Sequence, residues 1–277
     1  MNKNKQTALY KSDCMNISIH RIHSGKLNNE TECDWVAQET PIALEYNGIN
    51  HVTMLASPNY LKDFAVGFSL TEGIIKNIHE IRNVEFQEQP QGIVIQLEIS
   101  TASAVKLRKR RRFMLGNTGC GLCGIDALKE IITSPIETVS SCKVVSIAAI
   151  LEAMKNMRKY QVLYKTTGAT HAAGWANSEG QLCLVREDVG RHNALDKLIG
   201  GLINHGFQAD TGMILISSRA SFEMVQKTIS SGCGILAAIS APTARAVSLA
   251  ERASIGLLGF IRQDNASIYT HPERICF

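Results

Sequence analysis

Met213-Ile214-Leu215-Ile216-Ser217 decides the fold of this chain. It reads as a short apolar strand, and Phe222 to Ser230 follows it at helical spacing with Gly232 just past the end. The unit then repeats. Ile235 to Ile239 is a strand, Pro242 to Ala253 a helix with proline near its first turn, and Leu257 to Ile261 another strand. Short apolar strands alternating with helices of about ten residues indicate an α/β domain whose sheet is mostly parallel and covered on both faces. Ligands on such sheets bind beyond the carboxyl ends of the strands. The loops that start at Ser217, Ser240 and Phe260 are the candidates by that geometry.

Upstream of this alternation, Ser146 is placed to cap a helix running to Lys159. His171 to Trp175 and Gln181 to Val185 flank Asn177-Ser178-Glu179-Gly180, a hairpin turn, and Arg191 to Asn204 is a helix ending towards Gly206. The first part of the chain has a different pattern. Ile17, Ile19 and Ile22 hint at a strand, and Trp35 to Glu39 and Ile42 to Tyr46 are two more. Asn47-Gly48 is a hairpin signal, returning the chain through His51 to Ala56. Pro58 to Leu70 reads as a helix with Leu61, Phe64, Ala65 and Phe68 on its core face, and Val84 to Phe86 and Ile93 to Ile99 are strands. The expected division is an N-terminal α+β domain over 1–115, with residues 1–30 mobile, and a C-terminal α/β domain over 116–277.

Between the two lies Gly119-Cys120-Gly121-Leu122-Cys123-Gly124, ahead of a helical pattern over Ile125 to Ile132. Upstream are five consecutive cations, Arg108 to Arg112, within a helical stretch from Ala102 to Leu115. A thiolate is the reactive form of cysteine, and a helix N-terminus and nearby arginines both favour it. Glycine leaves the sulfurs open to close approach. Three plainer readings stand beside reactive chemistry: half of a zinc site, which lacks a second cysteine pair; a thioredoxin-like pair, which lacks the βαβ setting; and an inert pair. The basic run has its own plain reading, a solvated helix face, against docking of an acidic partner or phosphate.

Bulk properties narrow the class. The chain has 277 residues, 45% of them hydrophobic, enough for a large buried core. A net charge of +4 is too mild to imply nucleic acid, and 6% aromatics disfavours a base-stacking surface for single strands. Eight cysteines in a chain this long are not a disulfide framework. Met1 to Lys11 is polar and lysine-rich without an apolar core, and no run of about twenty apolar residues is present, so a soluble cytoplasmic protein is expected.

Polar clusters gather where strands give way to helices. Glu187-Asp188-Val189-Gly190-Arg191-His192-Asn193 holds a histidine able to act as acid or base, against a buried ion-paired network as the plain alternative. Ser217-Ser218-Arg219-Ala220-Ser221 suits an anion, against ordinary capping by Ser218 or Ser221. Arg191, Arg219 and Arg262 are cations for a phosphorylated ligand, and His171 is assigned a structural role. Zinc-dependent deamination needs His-x-Glu and then Pro-Cys-x-x-Cys, and here His171-Ala172-Ala173 lacks the glutamate and follows the cysteines.

Thr118 to Gly124, Thr170-His171-Ala172-Ala173, Glu187 to Lys197, Ser217 to Lys227 and Tyr269-Thr270-His271-Pro272 together resemble the FdhD/NarQ family, in order, from about Val36 to about Arg274. The resemblance implies a cytidine deaminase-like C-terminal domain without zinc. It implies a sulfur carrier that takes persulfide sulfur from an IscS-type cysteine desulfurase. The sulfur would pass to the molybdenum cofactor in its bis-molybdopterin guanine dinucleotide form, which GDP would mimic, before insertion into the catalytic subunit of formate dehydrogenase. Cys120 would carry the persulfide and Cys123 assist. Phe260-Ile261-Arg262-Gln263-Asp264-Asn265 would contact the cofactor, with Arg219 and His192 as further contacts. A homodimer is implied, with no nucleic acid and no membrane. Asp264-Asn265 stands where a glycine and a basic residue are expected, and Asn117 replaces a basic residue. The rivals are a non-catalytic cofactor-binding chaperone of formate dehydrogenase with a redox-sensing thiol pair, and a metal-binding or nucleic-acid module.

Overall fold

The computed structural model describes residues 13–116, 138–139 and 143–277. Cys120, Cys123 and the helical pattern over Ile125 to Ile132 lie outside the described residues.

Strands β1 (Cys14–His23) and β2 (Lys26–Ala37) form an antiparallel hairpin. Its turn, Ser24-Gly25, has both residues at positive φ, which matches the right-handed twist of the strands. Residues 14–30, expected to be a mobile lead, are therefore mostly paired strand, and the hint at Ile17, Ile19 and Ile22 belongs to β1. Strands β3 (Thr40–Tyr46) and β4 (Ile49–Ala56) pair through Asn47-Gly48, again both at positive φ. Helix α1 (Leu61–Thr71) and strands β5 (Ile81–Gln89) and β6 (Gly92–Ile99) complete this half. The sheet order is β4-β3-β6-β5, with β3 and β6 parallel. Phe64, Ala65 and Phe68 of α1 share a core with Ile42, Leu44, Ile95 and Leu97. Helix α2 (Thr101–Gly116) carries the basic run. Helix α1 starts at Leu61 rather than Pro58, after Tyr60 at φ 50°, because Ser57 and Asn59 bond to the other half of the chain.

The C-terminal half begins with β7 (Val145–Ser146), helix α3 (Ile147–Tyr160) and helix α4 (Val162–Thr167). Ser146 Oγ accepts the Ala149 N–H at 3.1 Å, the expected cap. Next come β8 (His171–Asn177), β9 (Leu182–Asp188), α5 (Arg191–Asn204), β10 (Gly212–Ile216), α6 (Phe222–Ser230), β11 (Ile235–Ala238), α7 (Ala244–Arg252), β12 (Gly256–Arg262), β13 (Asn265–Thr270) and β14 (Ile275–Cys276). The six-stranded sheet has the order β13-β12-β11-β10-β8-β9. Strands β9, β10, β11 and β12 run one way; β8 and β13 run against them. Buried runs such as Met213 to Ile216 follow from cover on both faces. Leu195, Leu198, Met224, Val225 and Ala250 pack on one face, and Ile150, Met154 and Met157 of α3 with Met213, Leu215 and Leu258 on the other.

The halves meet where α1 crosses α5. Gly67 and Gly200 let the backbones touch: a Cβ on Gly67 would lie 1.8 Å from Asp196 O, and one on Gly200 1.9 Å from Asp63 O. Around this crossing sit buried ion pairs, Lys197–Asp188 and Arg186–Asp63 at 2.6 Å and Lys227–Asp196 at 2.9 Å. Lys227 Nζ also donates to Thr71 Oγ1 and Glu72 Oε1 at the end of α1. Among the described residues no helix is long and apolar enough to cross a membrane.

Candidate functional site

The four codirectional strands end at one edge, and the loops leaving them interlock. Ala172 N–H donates to Ser217 Oγ at 2.8 Å, and Ser217 N–H to Ala172 O at 2.9 Å. Ile239 N–H donates to Ile216 O, Thr243 N–H to Ala220 O, and Phe260 N–H to Ser240 O. The loops after Ser217, Ser240 and Phe260 are thus one contiguous surface, and β10 and β12 stand two strand spacings apart, roughly 10 Å.

Helices α5 and α6 both start on this edge. His192, second residue of α5, places Nε2 2.6 Å from Oε2 of Glu223, second residue of α6. Neither helix is capped by a side chain: Gly190 has none, and Ser221 sits at the cap position of α6 without using its hydroxyl. Ser218 Oγ donates to Arg219 O. The capping expected of Ser218 or Ser221 is therefore absent. Arg191 Nε and Ser221 Oγ are shielded from solvent and have no hydrogen-bond partner. First-turn N–H groups left without a capping side chain favour anions. Burial and the neighbouring Arg191 hold His192 below the ordinary histidine range, with Glu223 pulling the other way. His171, at the start of β8, is lowered by burial and by the same arginine. Both imidazoles thus lean neutral near pH 7.

The segment Phe260 to Asn265 is irregular. Pairing of β12 with β13 slips between Gly259 and Arg262, and Phe260 has φ 53° and is 45% exposed. A bulky residue in the left-handed region is an outlier that marks a functional or strained position. Gly259 has no room for a side chain, since a Cβ would lie 2.9 Å from the Pro242 ring. Gln263 is also left-handed, at φ 52°, in the turn to β13. Phe260, Arg262, Gln263, Asp264 and Asn265 are exposed, whereas Ile261 is buried in the core with Leu258 and Met213. Its side chain belongs to the packing beneath the edge. Arg219 is exposed on the loop after β10, with the loop after β11 between it and this segment. An exposed aromatic and the exposed Arg219 and Arg262 along one sheet edge suit a base and phosphates. Asp264 and Glu223 add negative charge to the same surface.

Glu223 is not singled out as a site residue in the sequence, whereas Glu187 and Asp188 belong to the polar cluster whose plain reading is a buried ion-paired network. Glu223 faces His192. Asp188 is completely buried and receives Gly190 N–H at 2.8 Å and Ser57 N–H at 3.1 Å. Asp196-Lys197 inside the apolar run Ala194 to Ile199 was the available signal, because charges within an apolar helical face must be paired on burial. Glu187 accepts Leu163 N–H, Tyr164 N–H and Thr170 Oγ1, and burial raises its pKa despite those bonds. It anchors α4, so this part of the polar motif is structural.

Comparison with known proteins agrees with this architecture. A crystal structure described as a putative formate dehydrogenase accessory protein from Desulfotalea psychrophila superposes with a TM-score of 0.73 at 24% identity, covering 95% of this chain and 99% of that one. A protein named sulfur carrier protein FdhD from Bordetella petrii is 53% identical over 265 residues, 96% of this chain and 95% of that protein. One of the same name from Variovorax paradoxus is 49% identical over 87% of each chain. The FdhD/NarQ family pattern matches residues 37–276. The chain belongs to the FdhD/NarQ family.

Proposed function

We propose that this protein carries sulfur for the maturation of formate dehydrogenase, taking it from a cysteine desulfurase and delivering it to the bis-molybdopterin guanine dinucleotide cofactor. The relatives' name supports the sulfur-carrying part. The observation that carries the cofactor part is the interlocked carboxyl edge, where two helices without side-chain caps and the left-handed Phe260 face one surface.

In this reading the Cys120 thiolate attacks the outer sulfur of the desulfurase persulfide. The bond between the two donor sulfurs breaks, the donor cysteine leaves as thiolate, and Cys120 becomes the persulfide. Cys123 assists release. Arg108 to Arg112 help dock the donor. Phosphates of the cofactor, which is cargo here, lie by Arg219, Arg262 and the α5 and α6 starts, with His192 close by and Phe260 against the base. Arg262, Gln263, Asp264 and Asn265 border that ligand, and GDP serves as its mimic. A homodimer, a division near residue 115 and delivery to the formate dehydrogenase catalytic subunit complete the proposal.

Labelled cysteine and a desulfurase test it: label stays on the wild-type chain and is lost with Cys120→Ala. Full labelling of that variant would remove Cys120 from the mechanism. GDP binding that survives Arg219→Ala with Arg262→Ala would remove the phosphate assignment. The rival chaperone reading predicts that a variant with serine at both cysteines still matures formate dehydrogenase.

A further inference from the structure

Helix α5 presents Arg191 and His192 to the carboxyl edge, yet what fixes its first turn comes largely from the other half of the chain. Val189 N–H donates to Ser57 Oγ at 3.2 Å. Asn193 Nδ2 donates to Leu55 O at 2.9 Å and to Asp188 Oδ1 at 3.2 Å. Asp188 in turn accepts Ser57 N–H and Gly190 N–H. Lys197, fully buried one turn beyond Asn193, reaches back with Nζ to Ser57 O and Asn59 Oδ1, both at 2.8 Å, and to Asp188 at 2.6 Å. Asn59 Nδ2 donates to Asp13 Oδ2. These bonds flank Arg191 and His192 on both sides and converge on Leu55 at the end of β4 and on Ser57 and Asn59 in the connection to α1.

We infer that the segment Leu55–Asn59, from the end of β4 into the connection to α1, is a positioning element for the cofactor edge, with Ser57 its central residue, holding Val189 to Asn193 so that Arg191 and His192 face the ligand. Loop packing alone does not demand this arrangement. A connection between a strand and a helix ordinarily turns in solvent, and here it is spent on the other half: Ser57 is completely buried and Asn59 nearly so. The late start of α1 at Leu61 follows from the same commitment. Ser57 touches no ligand in this scheme; it acts through the backbone of Val189.

This inference rests on the cofactor reading above, and the experiment separates the two. Ser57→Ala keeps the backbone N–H for Asp188 and the carbonyl for Lys197, and removes only the acceptor of Val189 N–H. GDP affinity and sulfur loading on Cys120 are measured in parallel, together with the His192 imidazole nitrogen signals by NMR. One lost buried hydrogen bond predicts GDP binding weaker by about fivefold. Sulfur loading should keep its wild-type rate. The His192 titration should move up towards ordinary histidine as burial and Arg191 relax their hold; the other charges facing it are Glu223 and Lys227 of α6. Unchanged GDP affinity and an unchanged His192 signal would overturn the inference, as would equal losses in binding and loading, the mark of general destabilisation. If the wild-type chain binds no GDP, the cofactor reading fails, and the His192 signal alone decides. Should Ser57→Ala not fold, Asn193→Ala, which cuts the bonds to Leu55 O and Asp188 Oδ1, is read in the same way.

Discussion

The crossing of α1 with α5 and the carboxyl edge of the six-stranded sheet both hold several charged groups, and they treat them in opposite ways. At the crossing, Asp188, Asp196 and Lys197 are completely buried, and each is met by an opposite charge. At the edge, Arg219, Arg262 and Asp264 are exposed, and the hydroxyl of Ser221 has no partner. Paired charge in a dry interior adds little net stability over well-packed apolar residues, but removing one partner is severe. Polar groups left open at strand ends are available to a ligand. The comparison separates charges that are paired in the interior from charges left open at the surface, within motifs where the two types alternate one after another.

The largest effect should come from breaking the crossing. Lys197→Met leaves Asp188 buried without its cation and should lower stability by about 3–5 kcal/mol, read from chemical denaturation. A loss below about 1 kcal/mol would mean that Asp188 takes a proton or finds another donor. Next, Gly200→Ala places a methyl group 1.9 Å from Asp63 O, so the helices must separate. Overpacking of this kind costs about 1–3 kcal/mol or more. A neutral result would show that the crossing is pliable.

Both glycines were visible in the sequence as conformationally costly residues inside helical patterns, and a packing reason was the available inference. The C-terminal alternation was legible because its strands are buried on both faces and its helices have clear spacing. The Asn47-Gly48 hairpin was legible because its turn chemistry is local. The β1–β2 hairpin was read only in part. Its strands bury no continuous face, so the apolar alternation that reveals a strand is diluted along most of its length. At the edge, the loops to examine were legible from the order of strands and helices. The burial of Ile261 follows from the apolar strand read over Leu257 to Ile261, whereas the left-handed Phe260 and the reach of Ser57 across the molecule are set by tertiary contact, and local sequence carries no record of them.

Proton binding separates the two regions further. Burial raises Asp196 to about 6, against the pull of Lys227 and Thr71. The folded state therefore binds this proton more tightly than the unfolded state. The stability it contributes is complete below the ordinary aspartate value of 3.8 and is lost as pH rises through about 6. Asp196→Asn should flatten that part of the stability profile, measured by thermal unfolding across pH 3.5 to 7 (roughly the window between the two pKa values). An unaltered slope would assign the proton elsewhere.

The smallest effect on folding should come from the edge itself. Phe260→Gly relieves a left-handed side-chain conformation and should leave stability unchanged or raise it by about 1 kcal/mol. In the proposed function the same change weakens GDP binding. A stabilised variant with undiminished binding would leave the exposed ring without a role and blur the distinction between the two regions.

The most direct test of sulfur carriage is the intact mass of the chain after incubation with a cysteine desulfurase and cysteine. The account predicts the mass of one added sulfur atom on the wild-type chain, removed by reductant and absent from Cys120→Ala. An unchanged wild-type mass, or the same gain on Cys120→Ala, would contradict it.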